Sequence, residues 1–287
     1  MSTFKRTSRI AGWIVFAIAF TVYLFSVERT GSLWDCGEFL TGADKLEVVH
    51  PPGAPLFMIV GRMFAILGHI ISDDPSSVAF MVNLSSGLFT AFAAMFVALT
   101  TMHLGKLTLV GRENSLDGSQ NIAVAGAGIV AGLVTAFAPS IWFSAVEGEV
   151  YAMSTFFTTL TFWAAVKWYA MSDHPENDRW LIFAIVAAGM SLGVHLLSLL
   201  AFPAIALLYY FKKYPKGGLL KAGLAMIVGV GLIMLIQKLI VTGIPNLWKF
   251  FEVPLVNGGM PRHSGLFVAV LVIGGVLGTS LWYSRKR

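Results

Sequence analysis

The chain is short of cysteine and short of charge, and each shortage excludes something. Cys36 is its one cysteine in 287 residues, so neither an intrachain disulfide nor a thiolate metal cluster can form. Charged residues make up 12% of the chain, about half the share of a soluble domain. There is no Gly-rich phosphate loop, no His-Glu-x-x-His spacing and no nucleophile elbow, which leaves soluble nucleotide-driven chemistry without support. A basic stripe interleaved with aromatics is also missing. The net charge of +5 and pI near 9.4 therefore do not point to nucleic acid. No repeat, low-complexity tract or linker marks a second domain, and one transmembrane domain over residues 1–287 is expected.

Apolar residues are abundant. They form 56% of the chain, with a mean hydropathy of +0.76, and they lie in blocks. A helix needs roughly 20 such residues to cross a bilayer. The predicted helices are Ile10–Val27, Ala54–Ile71, Ala79–Met102, Ile122–Trp142, Tyr151–Met171, Trp180–Phe211, Leu219–Val241 and Leu266–Tyr283. The first follows Lys5, Arg6 and Arg9 but no small-x-small cleavage site follows it, so it reads as an uncleaved span. Trp180–Phe211 is too long for one crossing and is expected to split near Gly193-Val194-His195. Ala54–Ile71 carries Arg62 and His69 and is expected to lie along the interface. With a cytoplasmic N-terminus, fourteen Lys and Arg residues then fall on the cytoplasmic side and six on the other, as the positive-inside rule requires. The expected architecture is an all-α polytopic bundle of eight crossings plus one interfacial helix. Gly128…Gly132 and Gly274…Gly278 are spacings that permit close helix contact.

This topology puts Glu28–Ile71, the Ser140–Val150 turn and Ile244–Gly265 on the outer face. The first contains Ser32-Leu-Trp-Asp-Cys-Gly-Glu38. Asp35 and Glu38 share a helical face and can serve as a general base and its assistant; equally, Ser32-x-x-Asp35 fits a capping box. His50-Pro-Pro-Gly-Ala-Pro55 is a stiff entry to the next helix. His50 with Arg62 suits a lipid-linked phosphate, against the alternatives of a plain rigid turn and a snorkelling arginine. In Ser144-Ala-Val-Glu147-Gly-Glu149-Val-Tyr151 a capping box explains Glu147 but not Glu149, and acids at bilayer depth are functional suspects. His195 is a candidate through its expected place at an outer turn; a lone histidine in an apolar run is more often a packing residue.

Taken together, these segments resemble the start of the GT-C glycosyltransferases. Leu33-Trp-Asp-Cys-Gly-Glu-Phe39, His50-Pro-Pro-Gly-Ala-Pro55 and Glu147-Gly-Glu-Val-Tyr151 are similar to a bacterial family once known only as a domain of unknown function and now grouped with the transmembrane protein O-mannosyltransferases. The resemblance implies transfer of a sugar, expected to be mannose, from a polyprenyl-phosphate donor to protein Ser or Thr, with inversion. The reaction would run on the periplasmic face of a bacterial inner membrane, with no cofactor and no metal. It implies Asp35 as base, Glu38 assisting, His50 and Arg62 at the leaving phosphate, and Glu147, Glu149, Tyr151 and His195 binding substrate. Family members continue into further spans and a soluble outer domain. This chain is therefore expected to be the N-terminal membrane part of a longer architecture, with a partner chain as one source of the missing domain. A transporter or flippase of a lipid-linked sugar and a non-catalytic membrane subunit are the alternative readings. The first would call for internal repeats, which are missing.

Overall fold

The computed structural model of the chain describes residues 3–51 and 53–286, and every regular element among them is helical. Pro52 of the predicted entry turn and Arg287 of the predicted cytoplasmic charges lie outside the described residues. The chain divides into two compact units, Met1–Ala222 and Gly223–Arg287.

The first unit contains α1 (Thr3–Ser26), α2 (Cys36–Lys45), α3 (Pro55–Ile71), α4 (Pro75–Val110), α5 (Gly118–Phe137), α6 (Pro139–Val146), α7 (Val150–Ala170), α8 (Arg179–Ser191) and α9 (Phe202–Lys213). Its axis is α4, whose 36 residues extend for about 54 Å. The helix starts cleanly because Asp74 accepts the Ser76 amide at 3.0 Å and Pro75 fills the first turn. It stops at Gly111, where φ is +75°, a conformation glycine adopts without a Cβ clash. Around α4 pack α1, α3, α5, α6 and α7.

The predicted span Ile122–Trp142 ends early, because Pro139 opens α6 and the residue before a proline avoids helical geometry; Ala138 is extended, with ψ 135°. Trp180–Phe211 splits as expected, into α8, a turn at Gly193 and His195, a 3-10 turn Leu196–Ala201, and α9. Six segments among the described residues are long and apolar enough to cross a membrane: Thr3–Ser26, Pro75–Val110, Gly118–Phe137, Leu196–Lys213, Leu219–Asn257 and Ser264–Arg285. The other two predicted crossings correspond to α7 and α8. Threonine, tryptophan and Lys167 dilute the hydropathy of α7, and α8 has 13 residues, about 20 Å against a hydrocarbon core of about 30 Å.

In the second unit, α10 (Leu219–Ile236) passes through a π-helical stretch, Gln237–Thr242, into α11 (Gly243–Asn257), which packs on α12 (Ser264–Arg285). The segment Ile244–Gly265, predicted as an outer loop, is therefore mostly helix. Glu252 of α11 accepts the His263 and Gly265 amides at 2.6 and 2.8 Å, satisfying first-turn donors that a helix cannot satisfy itself.

The two glycine spacings behave differently. A Cβ on Gly128 or Gly132 would lie 2.9 Å from the Ala98 carbonyl oxygen or 2.8 Å from that of Ala94, so α5 seats directly on α4. Gly274 and Gly278 meet nothing within 4 Å. Gly132→Leu is therefore expected to destabilise the first unit by about 1–3 kcal/mol through overpacking, and Gly274→Ala to be neutral. Thermal unfolding of both variants in detergent checks this; equal midpoints would refute the α4–α5 contact.

Candidate active site

The site lies where four chain segments meet, at the N-terminal ends of α2, α3 and α7 and at the turn between α8 and α9. Asp35, Phe39, Val49, His50, Gly53, Ala54, Glu149, Tyr151 and His195 are among the residues that line one pocket of about 170 Å³. That is below the ~300 Å³ of drug-sized sites. Phe39, Val49, Ala54, Val150 and Val194 of the pocket lining belong to an apolar cluster that also contains Phe57, Met58, Met153 and Phe157.

Each segment is fixed by an identifiable contact. The Gly193 carbonyl accepts the Leu56 amide at 2.6 Å and the Phe57 amide at 3.4 Å, so the α8–α9 turn caps the start of α3 and brings His195 beside it. A Cβ at Gly193 would sit 2.9 Å from that of Leu56; only glycine permits this approach. The Glu28 amide donates to the Val146 carbonyl at 2.9 Å, and Ser32 Oγ donates to the Glu147 carboxylate in a very short contact. The loop before α2 and the α6–α7 turn are thereby tied together. Two non-glycine residues at the site have left-handed backbones, Trp34 at φ 69° beside Asp35 and Ala54 at φ 38° in the pocket wall. Such conformations cost roughly 1–3 kcal/mol each and persist where surrounding structure holds them.

Neither capping explanation of the acids holds. Asp35 is the N-cap residue of α2 but makes no side-chain cap bond, and Glu149 precedes α7 likewise without one. Ser144 Oγ donates back to the Ser140 carbonyl at 3.2 Å, within α6. Glu149 is 5% exposed. Burial, with Glu147 and Asp35 nearby, raises its carboxyl pKa to about 7, so it titrates at neutral pH. His50 grips Glu38 twice, by its amide to Oε1 at 2.6 Å and by Nδ1 to Oε2 at 2.9 Å. This hydrogen bonding raises the His50 pKa and lowers that of Glu38, favouring imidazolium beside carboxylate. Burial lowers the pKa of His195. Its Nδ1 accepts the Leu197 amide at 3.2 Å, which leaves the ring proton on Nε2; the ring lies 5.3 Å from that of Tyr151.

Asp35, His50, Glu149, Tyr151 and His195 are thus brought together. Glu38 stands behind His50, and Glu147 stands behind the wall on Ser32. Arg62 is not brought in. Seven residues beyond Pro55 puts it about 10 Å along α3 from its start, where it donates to the Asp44 carbonyl and to Asp44 Oδ1 at 3.2 Å. His69 joins it on the same carboxylate at 2.7 Å, so the expected His50–Arg62 pair does not form. One ligating atom each from Asp35, Glu38 and His50 lie within 4.8 Å of one another, a group that could hold a metal ion; an imidazole with two carboxylates suits a borderline divalent cation. Asn83 and Ser86, whose Oγ accepts the Glu149 amide at 3.4 Å, are supporting residues that the sequence reading missed. Asn83 had a signal, a polar amide inside an apolar run.

A helical membrane bundle with an acid- and histidine-lined pocket at the ends of its helices defines the class: a polytopic membrane protein with the makings of an enzyme site. Residues 35–218 match the family described as Protein O-mannosyl-transferase TMEM260 N-terminal domain, and the chain belongs to that family. It is 28% identical over 177 residues to the protein O-mannosyl-transferase tmem260 of Dictyostelium discoideum, covering 61% of this chain and 19% of that protein. With the protein O-mannosyl-transferase TMEM260 of Mus musculus it shares 29% over 178 residues, 62% of this chain and 22% of the relative. The matches thus span about a fifth of those relatives' length. No solved structure matches the chain.

Proposed function

We propose that this chain is the membrane part of an inverting glycosyltransferase of GT-C type, moving mannose from a polyprenyl-phosphate donor to a Ser or Thr hydroxyl of an acceptor protein. The observation that carries this reading is the convergence of Asp35, His50, Glu149, Tyr151 and His195 in one pocket, from segments far apart in the chain. In the proposed reaction Asp35 takes the proton of the acceptor hydroxyl as its oxygen bonds to the anomeric carbon. The bond from that carbon to the phosphate oxygen breaks on the opposite face, and the lipid phosphate leaves with the electron pair. His50, kept cationic by Glu38, faces the leaving phosphate. Glu149, Tyr151 and His195 hold sugar hydroxyls. Arg62 keeps no place in this scheme, and Glu147 acts only by fixing the loop before α2.

The bias of basic residues favours a pocket on the non-cytoplasmic side, periplasmic in a bacterial inner membrane. A soluble outer domain, from a partner chain or from the longer architecture of the relatives, would complete acceptor binding. Clustering of the acids at one end of the helices favours an enzyme over a transporter, whose sites lie near the midplane. Side chains without cap bonds argue against a purely structural role. The test is to supply radiolabelled polyprenyl-phosphate mannose to membranes containing the chain, with an acceptor protein. Label should appear in protein and require Asp35; label that stays in lipid in the presence of the full-length architecture would refute the reading.

A further inference from the structure

We infer that Asn83 of α4 is the positioning residue of the site, fastening the loop that carries Asp35 to the central helix beside the turn that carries Glu149. Asn83 is fully buried, and both ends of its amide are used. Its Nδ2 donates to the Glu28 carbonyl at 3.0 Å and to the Thr30 carbonyl at 3.1 Å. Its Oδ1 accepts from Cys36 Sγ at 3.8 Å. Cys36, also fully buried, directly follows Asp35. A single side chain on the central helix therefore joins the loop before α2 to the start of α2 and packs against Gly148 of the turn between Glu147 and Glu149.

The chemistry explains the residue type. The two carbonyls need donors and the thiol needs an acceptor, and a primary amide supplies both. Leucine fills similar space and offers neither. Aspartate keeps the acceptor, removes the donors and adds a charge at a fully buried position. Glycine at 148 is part of the same device, because a Cβ there would lie 2.9 Å from Asn83 Oδ1 and 3.1 Å from Leu40 Cδ2. Asn83 touches no pocket space itself and acts by holding Asp35 at a set distance from Glu149.

Cys36 is the chain's one cysteine, so its alkylation by a membrane-impermeant maleimide reports the clasp directly. The assay uses the full chain in membranes permeabilised to the reagent. Native Cys36 should react slowly. Asn83→Leu and Asn83→Asp should react roughly tenfold faster or more, the factor expected when one or two buried hydrogen bonds are lost. Gly148→Ala, which presses on the amide from the other side, should also accelerate labelling and keeps the test open where an Asn83 variant fails to insert. In the transfer assay Asn83→Asp should lower kcat while leaving KM for the donor near the native value, since the pocket wall remains but Asp35 is displaced. Slow labelling in the inserted variants would overturn the proposal, as would fast labelling with native kcat. The kcat arm rests on the mannosyl-transfer reading. If the native chain transfers no sugar, that reading fails, whereas the labelling arm still decides whether Asn83 holds the loop.

Discussion

Asp35→Asn is expected to lower transfer by roughly 10²–10⁴-fold, the usual contribution of a positioned general base, with insertion and helix content unchanged. The structure bears on the second half of that expectation. Asp35 occupies the N-cap position of α2 without a cap bond, so an isosteric amide removes no contact that holds the helix. The variant thus separates chemistry from folding, which truncation of a capping residue could not do. Glu147→Gln provides the contrast: its carboxylate holds Ser32 and does not line the pocket, so a modest loss is expected, shared between kcat and loop order. The comparison is read by single-turnover transfer from labelled donor alongside circular dichroism of the purified variants. Near-native transfer by Asp35→Asn would remove the proposed base.

The second large effect concerns pH. Glu149 titrates near 7 because burial and two neighbouring carboxylates disfavour its charge. In the proposed site its neutral form donates a hydrogen bond to the sugar, and its anion repels the donor phosphate. Transfer should therefore fall, and KM for the donor rise, as pH increases through 7. Glu149→Gln, neutral at every pH, should erase that alkaline limb and outperform the native chain at pH 8. The stability sign follows from the same shift. A carboxyl whose folded pKa is raised stabilises the fold fully below its unfolded value near 4.5 and loses that contribution as pH rises toward 7. Glu149→Gln should accordingly raise the unfolding midpoint by several degrees at pH 8 and leave it little changed at pH 4. A pH–rate profile with the same alkaline limb in both proteins would assign the limb to another group.

Much of this molecule is legible in its sequence. Blocks of about 20 apolar residues dictate membrane helices because the backbone has no partner but itself in hydrocarbon, and Pro139 and Gly193 mark where long apolar stretches break. The residue types of the site are legible too, since acids and histidines between such blocks are costly unless used. Capping competed as an explanation because Ser-x-x-Asp and Ser-x-x-Glu are local patterns. Whether a cap forms depends on the backbone, and here Asp35 makes no cap bond, while Ser144 of the pattern that ends at Glu147 donates back to Ser140 within α6.

The sequence by itself determined the kind of fold and the list of suspects, because hydropathy and helical periodicity are properties of neighbours along the chain. Only the tertiary structure decided which suspects meet. Arg62 is about three helical turns beyond His50 along the chain, yet Asp44 claims it. Asn83 looks like one more residue of a spanning helix, yet its amide ties together segments more than 50 residues away. Such contacts depend on how α2, α3, α4 and α7 pack, and packing is set by distances through space that residue spacing does not encode.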